Sequence, residues 1–230
     1  MSPIESNLQH VKAGIHASIA GLREPLRHPV TLIAVSKTKA PADIRAAFEA
    51  GQLDFGENYV QEAIEKIEAL KALRPKGLTW HFIGPLQSNK VKIVALQFDW
   101  MHSVDRAKIA RLLSAHRAGL PALNVCLQVN VSGEASKSGV TPDQLPSLAR
   151  EVALLPGLKL RGLMSIIENT DDEAAQRAQF RMMKRLFDGL RQDGLDLDTL
   201  SMGMSQDYRV AIEEGATMVR VGSAIFGART

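Results

Sequence analysis

Two spacings of apolar residues alternate along the 230-residue chain. Over 4–22, Leu8, Val11, Ile15, Ile19 and Leu22 recur every three or four positions and so share one face of a helix. The stretch Val30-Thr31-Leu32-Ile33-Ala34-Val35-Ser36-Lys37-Thr38-Lys39 is short, apolar and β-branched. It reads as a buried strand ending in a lysine, and a helix can begin at once in Ala40-Pro41-Ala42-Asp43. The rhythm then repeats. Strands are predicted at 53–56, 78–83, 98–104, 122–131 (the longest), 158–166, 199–202 and 217–221. Helices are predicted at 44–50, 58–70, from a Ser88-Asn89 cap through Leu96, and at 106–118, 142–154, 171–192 and 207–214. Eight strands alternating with helices predict an α/β fold, a single (β/α)8 barrel over 1–230, with the first helix added over one end of the core. A doubly wound open sheet is the other arrangement that fits the pattern.

A barrel makes a demand on the sequence, because its functional groups gather at the carboxyl ends of the strands. Side chains alternate along a strand, so Thr31, Ile33, Val35 and Lys37 share a face and Lys37 projects from the interior face at the mouth. Desolvation there would lower its pKa and free the neutral amine that attacks an aldehyde; the alternative is a strand-terminal lysine reaching to water. The loops after strands seven and eight, where barrels often bind phosphate, read Ser201-Met202-Gly203-Met204-Ser205-Gln206-Asp207 and Gly222-Ser223. Glycine admits close backbone approach and serine supplies donors, although both also suit ordinary caps and turns. In Thr217-Met218-Val219-Arg220-Val221-Gly222 the valines form one face, which turns Arg220 inward, where a guanidinium needs a partner. Amine, phosphate cup and arginine in one mouth describe the aldehyde, phosphate and ring nitrogen of pyridoxal 5′-phosphate (PLP). An arginine at that nitrogen would leave it unprotonated and weaken the ring as an electron sink.

Composition narrows the rest. A 45% hydrophobic and 23% charged chain is ordinary for a globular protein. Cys126 is the one cysteine, which rules out an internal disulfide; its apolar surroundings make it a structural residue of a strand. The net charge of +3 comes from basic residues scattered among acids, and with 5% aromatic residues this argues for no nucleic-acid surface. No apolar run has membrane-spanning length and the start is unlike a signal peptide, so a cytosolic protein without membrane contact is expected. His81 and His102 end successive strands without a carboxylate at ligand spacing, so no metal is expected there. Lys137, in a Ser-Gly-flanked loop, could reach phosphate or take up the cofactor secondarily, but reads more simply as solvated.

The chain resembles a known family in Val35-Ser36-Lys37-Thr38-Lys39, Phe55-Gly56-Glu57-Asn58-Tyr59-Val60-Gln61-Glu62, His81-Phe82-Ile83-Gly84-Pro85-Leu86-Gln87-Ser88-Asn89-Lys90, His102-Ser103-Val104-Asp105, Val129-Asn130-Val131-Ser132-Gly133-Glu134 with Lys137-Ser138-Gly139, Arg161-Gly162-Leu163-Met164 and Ser201-Met202-Gly203-Met204-Ser205-Gln206-Asp207. These motifs, in this order over nearly the whole chain, are similar to those of the pyridoxal phosphate homeostasis proteins, the YggS/PROSC family. Val221 and Ser223 replace the isoleucine and threonine common in the last motif and keep its chemistry. The resemblance implies a barrel like the N-terminal domain of alanine racemase, with PLP as a Schiff base on Lys37. By the same carry-over Asn58, His81 and Met164 line the cofactor; Ser201, Gly203, Ser205, Gly222 and Ser223 hold phosphate; Arg220 meets the pyridine nitrogen. It implies a protein that buffers PLP and delivers it to PLP-dependent apoenzymes without strong catalysis of its own; a monomer is expected.

The alternative is a PLP-dependent amino-acid racemase, which needs a second acid/base across the substrate. In the alanine racemases a β-domain after the barrel and the partner subunit complete that site. With Thr230 just after strand eight no such domain is expected, and position gives little support to Tyr59 or Tyr208, the two tyrosines, as a base.

Overall fold

Ser2 starts the first helix, α1 (Pro3–Ala20), with reciprocal bonds: its hydroxyl accepts from the Glu5 N–H and the Glu5 carboxylate from the Ser2 N–H, both at 3.2 Å. The structure is a computed structural model and describes residues 2–22, 29–132 and 138–227. From there the chain alternates β1 (Thr31–Val35), α2 (Pro41–Glu49), β2 (Asp54–Glu57), α3 (Val60–Ala69), β3 (Thr79–Phe82), α4 (Val91–Gln97), β4 (Trp100–Val104), α5 (Ala107–His116), β5 (Leu123–Gln128), α6 (Leu145–Ala153), β6 (Leu158–Met164), α7 (Glu173–Gln192), β7 (Thr199–Ser201), α8 (Tyr208–Glu213), β8 (Met218–Val221) and α9 (Ser223–Phe226). The strands pair in parallel in chain order and close when β8 pairs with β1, Arg220 opposite Ile33. A (β/α)8 barrel is therefore present, and the open sheet is excluded by the β1–β8 pairing.

Three details differ from the sequence pattern. The helix α1 packs its Leu8, Val11 and Ile15 face against α2, α8 and α9, so it joins the outer ring where the barrel closes rather than covering an end. The longest strand is β6, because β5 stops at Gln128. Beyond it the apolar alternation serves a local bridge between Val129 and Val140, with Val140 N–H donating to the Gln128 carbonyl at 2.8 Å. The four-residue helix α9 follows β8 where the apolar pattern predicts no element.

Two buried regions follow from strand alternation. The larger is an apolar shell between strands and helices, which holds Phe55, Phe82, Phe98, Val219 and Val221. Ile33, Trp100, Cys126, Met164 and Met218 form a separate cluster contributed by five strands, and only the barrel interior lets those side chains meet. Desolvation there pushes the Cys126 thiol up to about 12, as suits an inert structural cysteine.

Candidate functional site

Lys37 follows β1 in a turn clamped on both sides. Ser36 before it is buried; its hydroxyl donates to Glu57 Oε1 at 2.6 Å and its N–H to the Gly56 carbonyl at 3.0 Å. Thr38 after it has φ +63°, a left-handed conformation that costs a β-branched residue, and its N–H donates to Glu62 Oε1 at 2.5 Å. Buried Lys66 on α3 joins these partners, with Nζ 2.7 Å from the Ser36 carbonyl, 2.8 Å from Glu57 Oε1 and 2.5 Å from Glu62 Oε1. Burial raises the Glu57 carboxyl above its ordinary range, and the Lys66 charge opposes that rise. The Lys37 side chain is half-buried. Sequence reasoning passed over Glu57, Glu62 and Lys66; the one local signal was the i, i+4 spacing of Glu62 and Lys66 on α3.

Arg220 points into the barrel as the valine alternation requires, and it is buried. One terminal nitrogen donates to the Ser201 carbonyl at 2.7 Å and the Ser201 hydroxyl at 2.8 Å, the other to the Ser165 carbonyl at 2.7 Å. Those bonds use three of five guanidinium N–H groups, and among the described residues no carboxylate forms an ion pair with it. Desolvation pushes its pKa down to about 10, against the attraction of Asp207, which leaves it charged at neutral pH.

Around Arg220 the interior is polar. The Ser201 hydroxyl lies 2.9 Å from His102 Nδ1, His102 Nε2 lies 2.9 Å from His81 Nδ1, and His81 Nε2 lies 3.0 Å from Asp54 Oδ1. Ser201 thus stands with Arg220, its hydroxyl and carbonyl both engaged there, while the rest of the expected phosphate cup lies further along the loops. His81 likewise has both ring nitrogens occupied inside the barrel. Among the described residues no group of three or more metal-ligating side chains occurs.

The remaining cup residues come together at the mouth. Ser223 Oγ lies 3.5 Å from Ser205 Oγ, beside Gly222, which caps α9. Gly203 is buried with φ +94°, and a Cβ there would sit 2.6 Å from the Ala211 Cβ, so only glycine carries the chain through this turn. The Asp207 carboxylate closes the loop by accepting from the Met204 N–H at 2.5 Å. A cavity of about 200 Å³ opens beside the cup, lined by Ile167, Thr170, Met204, Ser205, Asp207 and Ser223 among others. Asn58 follows β2 and Ser165 follows β6; the Asn58 Oδ1 and the Ser165 hydroxyl are buried without a hydrogen-bond partner. Met164 is fully buried in the interior cluster. Lys137 and the Gly133-Glu134 part of its loop lie outside the described residues.

The donor set fits PLP. A buried guanidinium has N–H groups to spare for a ring nitrogen, two unpartnered polar atoms follow β2 and β6, and the Ser205 and Ser223 hydroxyls approach each other at the edge of a cavity.

Comparison with known proteins agrees. Residues 12–230 match the family model for the alanine racemase N-terminal domain. The chain is 57% identical, over 100% of its length and 97% of the other's, to the pyridoxal phosphate homeostasis protein of Pseudomonas aeruginosa. PipY of Synechococcus elongatus, solved with PLP bound, is 38% identical with a TM-score of 0.85, over 97% of this chain and 100% of that one. Alanine racemase of Corynebacterium glutamicum shares the fold, with a TM-score of 0.72 at 17% identity, over 98% of this chain and 61% of that one. The chain belongs to the alanine racemase N-terminal domain family and, within it, to the pyridoxal phosphate homeostasis proteins.

Proposed function

We propose that this protein holds PLP at the barrel mouth, attached at Lys37, and acts in PLP homeostasis by buffering the free aldehyde and delivering it to PLP-dependent apoenzymes in the cytosol, as a monomer. The observation that carries this reading is Arg220: a buried, charged guanidinium with unspent N–H groups, in the same mouth as Lys37 and the Ser205–Ser223 cup. The name of the relatives and the PLP bound in PipY support it.

PLP, when bound, supplies an aldehyde that reacts with an amine and an aromatic ring that can accept negative charge. The chain's own residues decide how much of that reactivity is used. The clamped turn presents the Lys37 amine. Ser205 and Ser223, with the backbone at Gly203 and Gly222, bind the phosphate, and Asn58 Oδ1 offers an acceptor. Arg220 donates to the ring nitrogen and, being charged at neutral pH, gives it no proton, so carbanion chemistry stays weak.

The racemase alternative needs a placed base, and the positions of the two tyrosines give it little support. Tyr208 is buried on the outer ring, its hydroxyl so close to α1 that a Cβ on Gly14 would collide with it. Tyr59 is 54% exposed at the start of α3. Absence of strong catalysis is tested by incubating the PLP-loaded protein with alanine in deuterated water. α-Deuteration no faster than with free PLP is expected. Rapid, stereochemically defined exchange lost on removing Tyr59 would make the protein a racemase.

A further inference from the structure

The polar groups inside the barrel form a line with two fixed ends. Asp54 opens β2 at the amino end of the barrel, its side chain 28% exposed, and its carboxylate can only accept hydrogen bonds. Arg220, on β8, can only donate. Between them stand His81 on β3 and His102 on β4, each able to donate once and accept once while its ring is neutral, and Ser201 on β7, whose hydroxyl donates once and accepts twice, so that the direction is set from the Asp54 end.

With both rings neutral, one arrangement satisfies all four links. Arg220 donates to the Ser201 hydroxyl oxygen at 2.8 Å, and the Ser201 O–H donates to His102 Nδ1 at 2.9 Å. His102 Nε2–H donates to His81 Nδ1 at 2.9 Å, and His81 Nε2–H donates to Asp54 Oδ1 at 3.0 Å. Each histidine is then the Nε2–H tautomer. Reversing any link leaves two donors or two acceptors facing each other. The carboxylate at one end thus dictates, through two rings and a hydroxyl, what the arginine meets at the other.

We propose that Asp54, His81, His102 and Ser201 are positioning residues: a hydrogen-bonded chain of one allowed polarity that fixes the orientation of Arg220, and hence of its unspent N–H groups, toward the ring nitrogen of bound PLP. The proposal rests on the PLP reading above. Packing agrees with it. The Trp100 ring stacks on His81 at 5.5 Å and 16°, and Arg161, paired with Asp198, lies 4.7 Å from the Trp100 ring centre, so the His81 ring is held in its plane. Both histidines are fully buried, and desolvation, with the nearby His81 and Arg220, keeps His102 neutral well below its ordinary range. Polar filling of a barrel interior would need no fixed polarity, which separates the two accounts.

The test uses histidine-labelled, cofactor-free protein and long-range ¹⁵N–¹H correlation to read ring tautomers at neutral pH. His81 and His102 are expected as neutral Nε2–H rings. In Asp54→Ala, which removes the terminal acceptor, His102 is expected to give a mixture of tautomers and PLP to bind about 3- to 10-fold more weakly, the effect of losing one ordinary hydrogen bond. Asp54→Asn, which keeps an acceptor, should restore both. His102 as the Nδ1–H tautomer in the wild-type protein would overturn the proposal even if the variant failed to fold. So would an Asp54→Ala protein with unchanged tautomers, or with altered tautomers and unchanged PLP affinity. The tautomers are read without PLP, so a wild-type protein that bound none would sink the functional reading while the order of the chain was still decided.

Discussion

Neighbouring residues of β8 face opposite ways. Val219 and Val221 join the apolar shell under the helices, whereas Met218 and Arg220 turn into the barrel. The shell is held by area and shape, which many apolar combinations satisfy. The interior polar groups are held by directed bonds, where each partner has one acceptable replacement or none. Stability therefore resides mainly in the shell and cofactor recognition in the interior. The exception is the Glu57–Lys66 pair, a charged contact within the shell that supports the Lys37 turn.

A shell cavity should separate the two regions most clearly. Phe82→Ala removes a fully buried ring packed edge-on against Phe98 at 5.3 Å, and a loss of about 3–5 kcal/mol is expected in urea unfolding. PLP affinity of the folded fraction should hardly move. A large loss of affinity would show that the shell also shapes the site.

The charged exception gives an effect of similar size with a different signature. Lys66→Met strands Glu57 as an uncompensated buried carboxylate, costing about 3–5 kcal/mol, and Glu57→Gln in the same chain should recover much of it. The Glu57 carboxyl, already raised in the folded state, rises further in Lys66→Met. A folded form that binds the proton more tightly than the unfolded form gains stability as pH falls, so this variant should recover part of its loss on acidification. Unfolding midpoints across pH check the sign.

At the mouth the expected differences are smaller and concern binding. Pyridoxal lacks the phosphate and forgoes charge-assisted bonds of roughly 1.5–3 kcal/mol each. It should bind far more weakly than PLP, and Ser205→Ala should narrow the gap. Equal affinities in a spectroscopic titration would leave the Ser205–Ser223 pair without a role.

The smallest effect comes from the interior. His102 takes up a proton in the folded protein only well below its ordinary value near 6.5, whereas the unfolded chain takes it near that value. Stability is therefore complete above pH 6.5 and is lost on acidification by up to about 1.4 kcal/mol per pH unit. Substituting His102 by Gln should flatten this part of the curve.

The shell was legible in the sequence because burial against a helix leaves a period, and that period turned Arg220 inward and put Lys37 at the end of β1. The turn between β7 and α8 was legible in outline, since Gly203 and Ser205 mark a turn ahead of a helix. The inward side of Ser201 was not legible, because it looks like another loop serine; it is the last residue of β7, and its side chain turns inward to Arg220. The interior chain left no trace, because hydrogen bonds between residues such as His102 and Ser201, 99 positions apart, impose no local pattern. Glu57 hid for a related reason: alternation turns it outward, away from the mouth, so its effect on Lys37 passes through Ser36.

The central claim is that PLP attaches at Lys37 under the direction of Arg220. Borohydride trapping of the PLP-loaded protein, digestion and mass spectrometry test it most directly. A reduced PLP adduct on the peptide containing Lys37 is expected, and Lys37→Ala should lose both the adduct and the yellow absorption band. An adduct that persisted in Lys37→Ala on Lys39 or Lys137 would contradict the account.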